Sequence, residues 1–200
     1  MATIGRPRQF DKDEALQKAM VLFWQYGYES TSLAQLRQAM GGISSASFYA
    51  AFGSKEALFN EATALYLQNF GEQIRATLRD PELDTITAIS MTLKNALREQ
   101  TKENNPRGCM VVLTATNCSP DNEHIQLAMA EERKRTRLAF RDCIQKGIES
   151  ATLSADTDAD SLSLYFSTLL NGISIQARDH ISLEELDKVV DLSLKKITVK

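Results

Sequence analysis

Cysteine, histidine and proline are scarce in this chain, and each scarcity excludes something. Three Cys is an odd number in 200 residues. A disulfide framework is therefore not expected, and a reducing compartment is the default. Two His, with only Cys118 and His124 near each other at a spacing that matches no standard ligand pattern, give no basis for a metal centre. No metal and no cofactor is expected. Four Pro and nine Gly fall mostly between apolar-periodic segments, as punctuation between helices. No apolar run approaches the ~20 residues of a membrane span, and the first residues lack a charged-then-apolar signal pattern, so no membrane partner is expected. A basic excess is missing too: 23 Lys plus Arg face 26 Asp plus Glu, a net charge of −3. That excludes a protein coated in positive charge. What is present, 43% apolar and 24% charged residues, is the composition of a globular chain able to bury a core. The charge is uneven. Residues 1–55 balance at +2 and the rest at −5, a sign that suits a nucleic-acid contact at the N-terminal end.

Helical periodicity runs through the whole chain. Asp11 sits at a capping position with Glu14 three residues on, and Ala15, Leu16, Ala19, Met20, Leu22 and Phe23 follow at helical spacing until Gly27. A second, short helix starts at Ser30 or Thr31 and ends at Gly41-Gly42. A third, starting at Ser44 or Ser45, carries Phe48, Tyr49 and Phe52. A fourth runs from Ser54 toward Leu78. Further helices are expected over about 83–103, from Ser119-Pro120 to about Ala151, from Leu162 to about Arg178, and from the Ser182/Glu185 capping box to about Ile197. Residues 109–117 have strand-like propensity, but no other strand exists to pair with, and a short buried helix is the better reading. The expected fold is all-α, with about nine helices. Residues 1–55 form a small N-terminal unit and 56–200 a larger one.

The first three helices have the outline of a helix-turn-helix, in which a second short helix presents small groups to a DNA groove while its other face stays anchored. Phe48 and Phe52, four apart, suit the anchor. Ser45, Ala46, Ser47, Tyr49 and Ala50 suit the exposed face. Hydroxyls and helix-start N–H groups match phosphate oxygens, and Ala methyls match thymine methyls. Lys55, with Ser54, stands where the next helix begins. Nothing supports an enzyme: there is no phosphate-binding Gly loop, no metal motif, and no strand before Gly42-Ile43-Ser44-Ser45-Ala46, the one stretch with a nucleophile-elbow outline.

Residues 10–66, from FDKDEALQKAMVLFWQYGYESTSLAQL through ISSASFYAAFGSKEALFNEATALY, closely resemble the DNA-binding domain of the TetR family of bacterial transcriptional repressors. The resemblance implies a cytoplasmic homodimer that binds a double-stranded, palindromic DNA operator, with a C-terminal domain for a small effector and a four-helix dimer bundle. It places Ser45, Ala46, Ser47, Tyr49 and Ala50 near bases or phosphates, Thr31 and Lys55 near phosphates, and Arg6 and Arg8 on a basic arm able to enter a minor groove. This chain departs from the pattern in having no basic residue in its third helix and a doubled glycine at Gly41-Gly42, so readout would lean on Tyr49, methyl contacts, the arm and DNA shape.

In the larger unit, Leu162, Tyr165, Leu169 and Ile173 with Leu186, Val189, Val190 and Leu194 fit the two terminal helices of a dimer bundle. Tyr66, Phe70, Ile74, Leu93, Leu97, Met110, Leu113, Met129, Phe140 and Phe166 are the expected wall of an effector pocket suited to an apolar or amphipathic molecule. Glu131-Glu132-Arg133-Lys134-Arg135 reads as a solvated helix face. An alternative is a thiol-based regulator that senses oxidants or electrophiles through Cys109 or Cys118.

Overall fold

Asp11 opens the first helix through its side chain, whose carboxylate accepts from the backbone N–H groups of Asp13 and Glu14, both at 3.0 Å. This satisfies two of the donors that a helix start leaves free. The computed structural model describes residues 11–195 and 197; Arg6 and Arg8 lie outside them. The helices are α1 (Lys12–Ser30), α2 (Leu33–Ala39), α3 (Ser45–Phe52), α4 (Lys55–Tyr66), α5 (Glu72–Arg79), α6 (Thr85–Thr101), α7 (Met110–Leu113), α8 (Glu123–Glu149), α9 (Ala159–Arg178) and α10 (Leu183–Leu194). A π-helical turn at Leu67–Gly71 joins α4 and α5 into one rod. The described residues therefore form nine rods and no strand, and none of the helices is long and apolar enough to cross a membrane.

Several boundaries differ from the sequence reading, each for a local reason. Gly27 does break α1, at φ 81° and ψ 170°, but the chain resumes a helical turn through Ser30. A Cβ at Gly27 would stand 3.1 Å from the carbonyl oxygen of Thr114, which accepts the N–H of Tyr28 at 2.9 Å. The extra turn moves the cap of α2 to Ser32, in a reciprocal box with Gln35. Of residues 109–117, only Met110–Leu113 are helical. A 3-10 turn at Pro120–Asn122 precedes α8.

Two apolar clusters hold the molecule. The first packs α1–α4 around Phe23, Leu36, Phe48, Leu58 and Phe59, and Met110, Ile125 and Met129 from α7 and α8 complete it. Each of these large side chains contributes about 1.5–3 kcal/mol by leaving water. The head expected at 1–55 thus shares its core with α4 and with segments more than fifty residues further on. The second cluster joins α5, α6, α8, α9 and α10 through Leu93, Leu97, Phe140, Phe166, Ile173, Leu186 and Val190.

Candidate nucleic-acid interface and effector cavity

Helix α3 is capped by Ser44, whose hydroxyl accepts the N–H of Ser47 at 3.0 Å. Phe48 and Phe52 are buried, 0% and 3% exposed, and fasten one face. Ser45, Ala46, Ser47, Tyr49 and Ala50 are all exposed on the other. Tyr49 is 51% exposed and rests its ring on Phe48 at 5.5 Å. The turn before α3 is held from α2: the Arg37 Nε donates to the Ile43 carbonyl at 2.9 Å, across Gly41 and Gly42 at φ 90° and 75°. The doubled glycine therefore makes a closed turn, a role for Arg37 that sequence reasoning missed.

Two expected phosphate contacts have other partners. Thr31 is fully buried, and its hydroxyl donates to the Gly27 carbonyl at 2.6 Å. The kink at Gly27 leaves that oxygen without its helical donor, and Thr31 supplies one. Lys55 is half-buried, with its Nζ 4.3 Å above the Tyr28 ring, and burial lowers its pKa.

A cavity of about 80 Å³ lies among the end of α4, the π turn and α5, α6, α7, α8 and α9. Of the expected wall, it brings together Tyr66, Phe70 and Ile74. Leu93, Leu97, Phe140 and Phe166 sit in the second core and Met110 and Met129 in the first, while Leu113 packs under the Gly108 turn. The physical reason is that the best periodic apolar side chains pack against one another, which leaves the space between the two clusters to polar ones. Glu132 and Arg133, expected in solvent, line that space. The helical spacing Met129, Arg133, Thr136, Phe140 was the signal for Arg133.

The polar wall is partly self-satisfied. Arg75, 8% exposed, donates to Glu72 at 2.5 Å and to Glu132 at 3.5 Å. Arg133 donates to the Val111 carbonyl at 2.7 Å and has no carboxylate partner among the described residues; burial lowers its pKa. The Tyr66 hydroxyl donates to the Cys109 sulfur at 3.4 Å. Burial raises the Tyr66 pKa well above the usual phenol value and that of the Cys109 thiol above its own. Burial also raises the thiols of Cys118 and Cys143, the latter to about 11.

One side chain ties the cavity side of the molecule to the head. The Arg178 guanidinium, at the end of α9, donates to three carbonyls: Arg107 at 2.9 Å, Gln25 at 3.0 Å and Trp24 at 2.9 Å. The Trp24 indole N–H donates in turn to the Gly108 carbonyl at 3.0 Å. Gly108, at φ 83°, has no room for a Cβ, which would fall 2.6 Å from the Ser174 carbonyl oxygen. A second tie is Glu29, whose carboxylate accepts from the Ser119 N–H and hydroxyl, both at 2.7 Å, and from the Asn122 amide at 2.9 Å. The Asn122 and Ser119 side chains lead in lowering its pKa to about 2.

An anchored helix-turn-helix head, joined to a helical body with a polar-rimmed cavity, defines a DNA-binding transcription regulator. The sequence profile of the bacterial regulatory proteins of the tetR family matches residues 15–62, and that of the tetracyclin repressor-like C-terminal domain matches residues 85–191. The chain belongs to the TetR family, and it is a transcription regulator, not an enzyme. It is 31% identical over 191 residues to the HTH-type transcriptional repressor ComR of Escherichia coli, covering 96% of this chain and 90% of that protein. A cysteine-substituted form of the TetR family transcriptional regulator CifR, solved with a 26-base-pair double-strand operator, superposes with a TM-score of 0.90 at 41% identity, covering 96% of this chain and 100% of that one. A putative TetR regulator from Rhodococcus is similar at 32% identity and TM-score 0.62, over 93% of this chain and 98% of its own.

Proposed function

We propose that this protein is a repressor that binds a palindromic operator as a homodimer and is released from it by a small molecule in the cavity. The observation that carries the reading is the contact between the two sites. Tyr66 and Phe70, on the cavity wall, pack against the Trp24 ring of α1, edge-on at 4.9 Å and tilted at 5.5 Å, and α1 is the helix on which the head is built. A ligand that prefers one arrangement of this wall shifts the population of head positions and so the operator affinity. Dimerisation through α9 and α10 fits their exposed apolar side chains: Leu164, Tyr165, Ile175, Val189 and Leu192. Ile173, Leu186 and Val190 face the protomer's own core, and Leu162, Leu169 and Leu194 pack on it from the edge. A dimer sets two α3 helices in successive major grooves about 34–36 Å apart. Selection of bound duplexes from a random library tests the reading. An enriched palindrome, lost when Tyr49 is replaced by Ala, is the expected result; no enrichment in any ligand state overturns it.

A second reading has one observation in its favour: Cys109 is on the cavity wall with the Tyr66 hydroxyl on its sulfur. CifR was solved on its operator in cysteine-substituted forms, which brings thiol chemistry into view for this chain. The raised thiol pKa keeps the thiolate a minor form at neutral pH, so we place reversible binding first. In a Cys109→Ser protein, release by a reversible ligand survives under the first reading, and release by an oxidant or electrophile disappears under the second.

A further inference from the structure

The charges around the cavity sum to zero but are not all paired. Four formally charged side chains line it: Arg75, Glu99, Glu132 and Arg133. Three have partners of opposite sign. Arg75 bridges Glu72 and Glu132, Glu132 also takes Arg135 at 2.7 Å, and Glu99 takes Lys102 at 2.6 Å. Arg133 alone among the four has no carboxylate, and its one hydrogen bond is to the Val111 carbonyl. A guanidinium carries five N–H donors in a planar fork that suits a carboxylate. A second, independent observation points the same way. Thr92, on the α6 wall, is 1% exposed, and its hydroxyl has no partner, whereas buried hydroxyls are almost always hydrogen-bonded. The rest of the wall includes Leu67, Phe70, Ile74 and Leu170, which suit a short hydrocarbon body.

We infer that the cavity takes a small organic monocarboxylate, aromatic or aliphatic, with its carboxylate on Arg133, a second polar contact to Thr92, and its apolar body against Phe70 and Ile74. This inference rests on the effector reading above for its biological role, but not for the site itself. A carboxylate supplies the charge that Arg133 lacks, and a charge-assisted bond in a partly dry site is stronger than a neutral one.

The test uses the full-length protein and its own reporter. Trp24 is the chain's single tryptophan and packs against the rings of two wall residues, so its fluorescence reads occupancy. Benzoate and hexanoate are titrated beside benzamide and hexanamide, which match them in shape without the charge. The carboxylates are expected to bind about tenfold or more tightly than the amides. Arg133→Gln is expected to remove that preference and Arg133→Lys to keep most of it. Circular-dichroism melts check that each variant folds, and the Lys variant decides the matter if the Gln variant does not. Equal affinity for acid and amide overturns the proposal, as does a preference that survives Arg133→Gln or no binding by either series. Operator binding is measured in parallel. Carboxylates that bind through Arg133 without changing operator affinity sink the effector reading and leave the site standing. Amides that bind at least as tightly as the carboxylates and release the operator leave the effector reading standing and sink the carboxylate site.

Discussion

At the scale of the residue, Thr31 shows how a hydroxyl suited to a phosphate comes to serve the interior instead. Its Oγ1 meets the Gly27 carbonyl at 2.6 Å in a position with no solvent exposure. Thr31→Val keeps the shape and deletes the donor, so unfolding in urea is expected to become easier by about 1–2 kcal/mol, the cost of a buried carbonyl left unmet. The slope of operator affinity against salt is expected to stay the same, whereas losing a phosphate contact lowers it by about 1. Tyr49 behaves in the opposite way. It is half exposed and touches only Phe48 among the aromatics, so Tyr49→Ala is expected to leave the melting temperature within about 2 °C, as surface changes do, and to weaken operator binding. The contrast explains what could be read in advance. The exposed face of α3 was legible because a cap, two Phe four apart and a run of small residues are local facts. The fates of Thr31 and Lys55 were not, because each is decided by Gly27 or Tyr28 in three dimensions.

At the scale of the element, helix starts were largely legible and the cavity was not. Asp11, Ser44, Ser54 and Ser182, legible as helix starts, cap their helices through side chains, and such a bond spans only two or three residues of sequence; Asp84 and Asp158 do the same and were not read in advance. The cavity wall draws on seven segments, and its polar members gain meaning only where those segments meet. The joints between elements carry two predictions. Arg178→Met removes all three donors that tie α9 to α1 and to the Arg107 turn. A loss of about 2–3 kcal/mol in stability is expected, together with a ligand response in operator binding reduced about threefold or more, since the tie joins α9, which contributes to the cavity wall, to α1 of the head. Calorimetric melting and gel-shift titrations with and without ligand measure both. Glu29 gives a pH signature. Its carboxyl lies at about 2 when folded, below the usual 4.5. The stability from its bonds to Ser119 and Asn122 is therefore fully present above about pH 4.5 and is lost as pH falls toward 2. The melting temperature is expected to drop over that interval, and Glu29→Gln to flatten part of the drop.

At the scale of the whole molecule, the exposed apolar side chains of α9 and α10 bear on assembly. Val189 and Leu192 are 44% and 60% exposed on α10, three residues apart and hence on one face. Val189→Asp with Leu192→Asp is expected to shift sedimentation from dimer to monomer. It is also expected to weaken operator binding roughly 100-fold, because the second head no longer binds at high effective concentration. Unchanged sedimentation moves the interface elsewhere. The π turn at Leu67–Gly71 has a consequence for how the two halves of the molecule vary. A wide turn takes up one residue more than an α-helical one, and each residue of an α-helix advances the helix by about 100°. The rod's two ends are therefore offset in angular phase by a fixed amount. Leu58, Phe59 and Ala62 are aimed at the first cluster and Leu78 at the second, with the offset absorbed beside the cavity wall. The turn works as a phase joint in a single shaft. A one-residue deletion within it would rotate α5 against the head by about 100°, so drift in the length of this rod is confined by both cores at once.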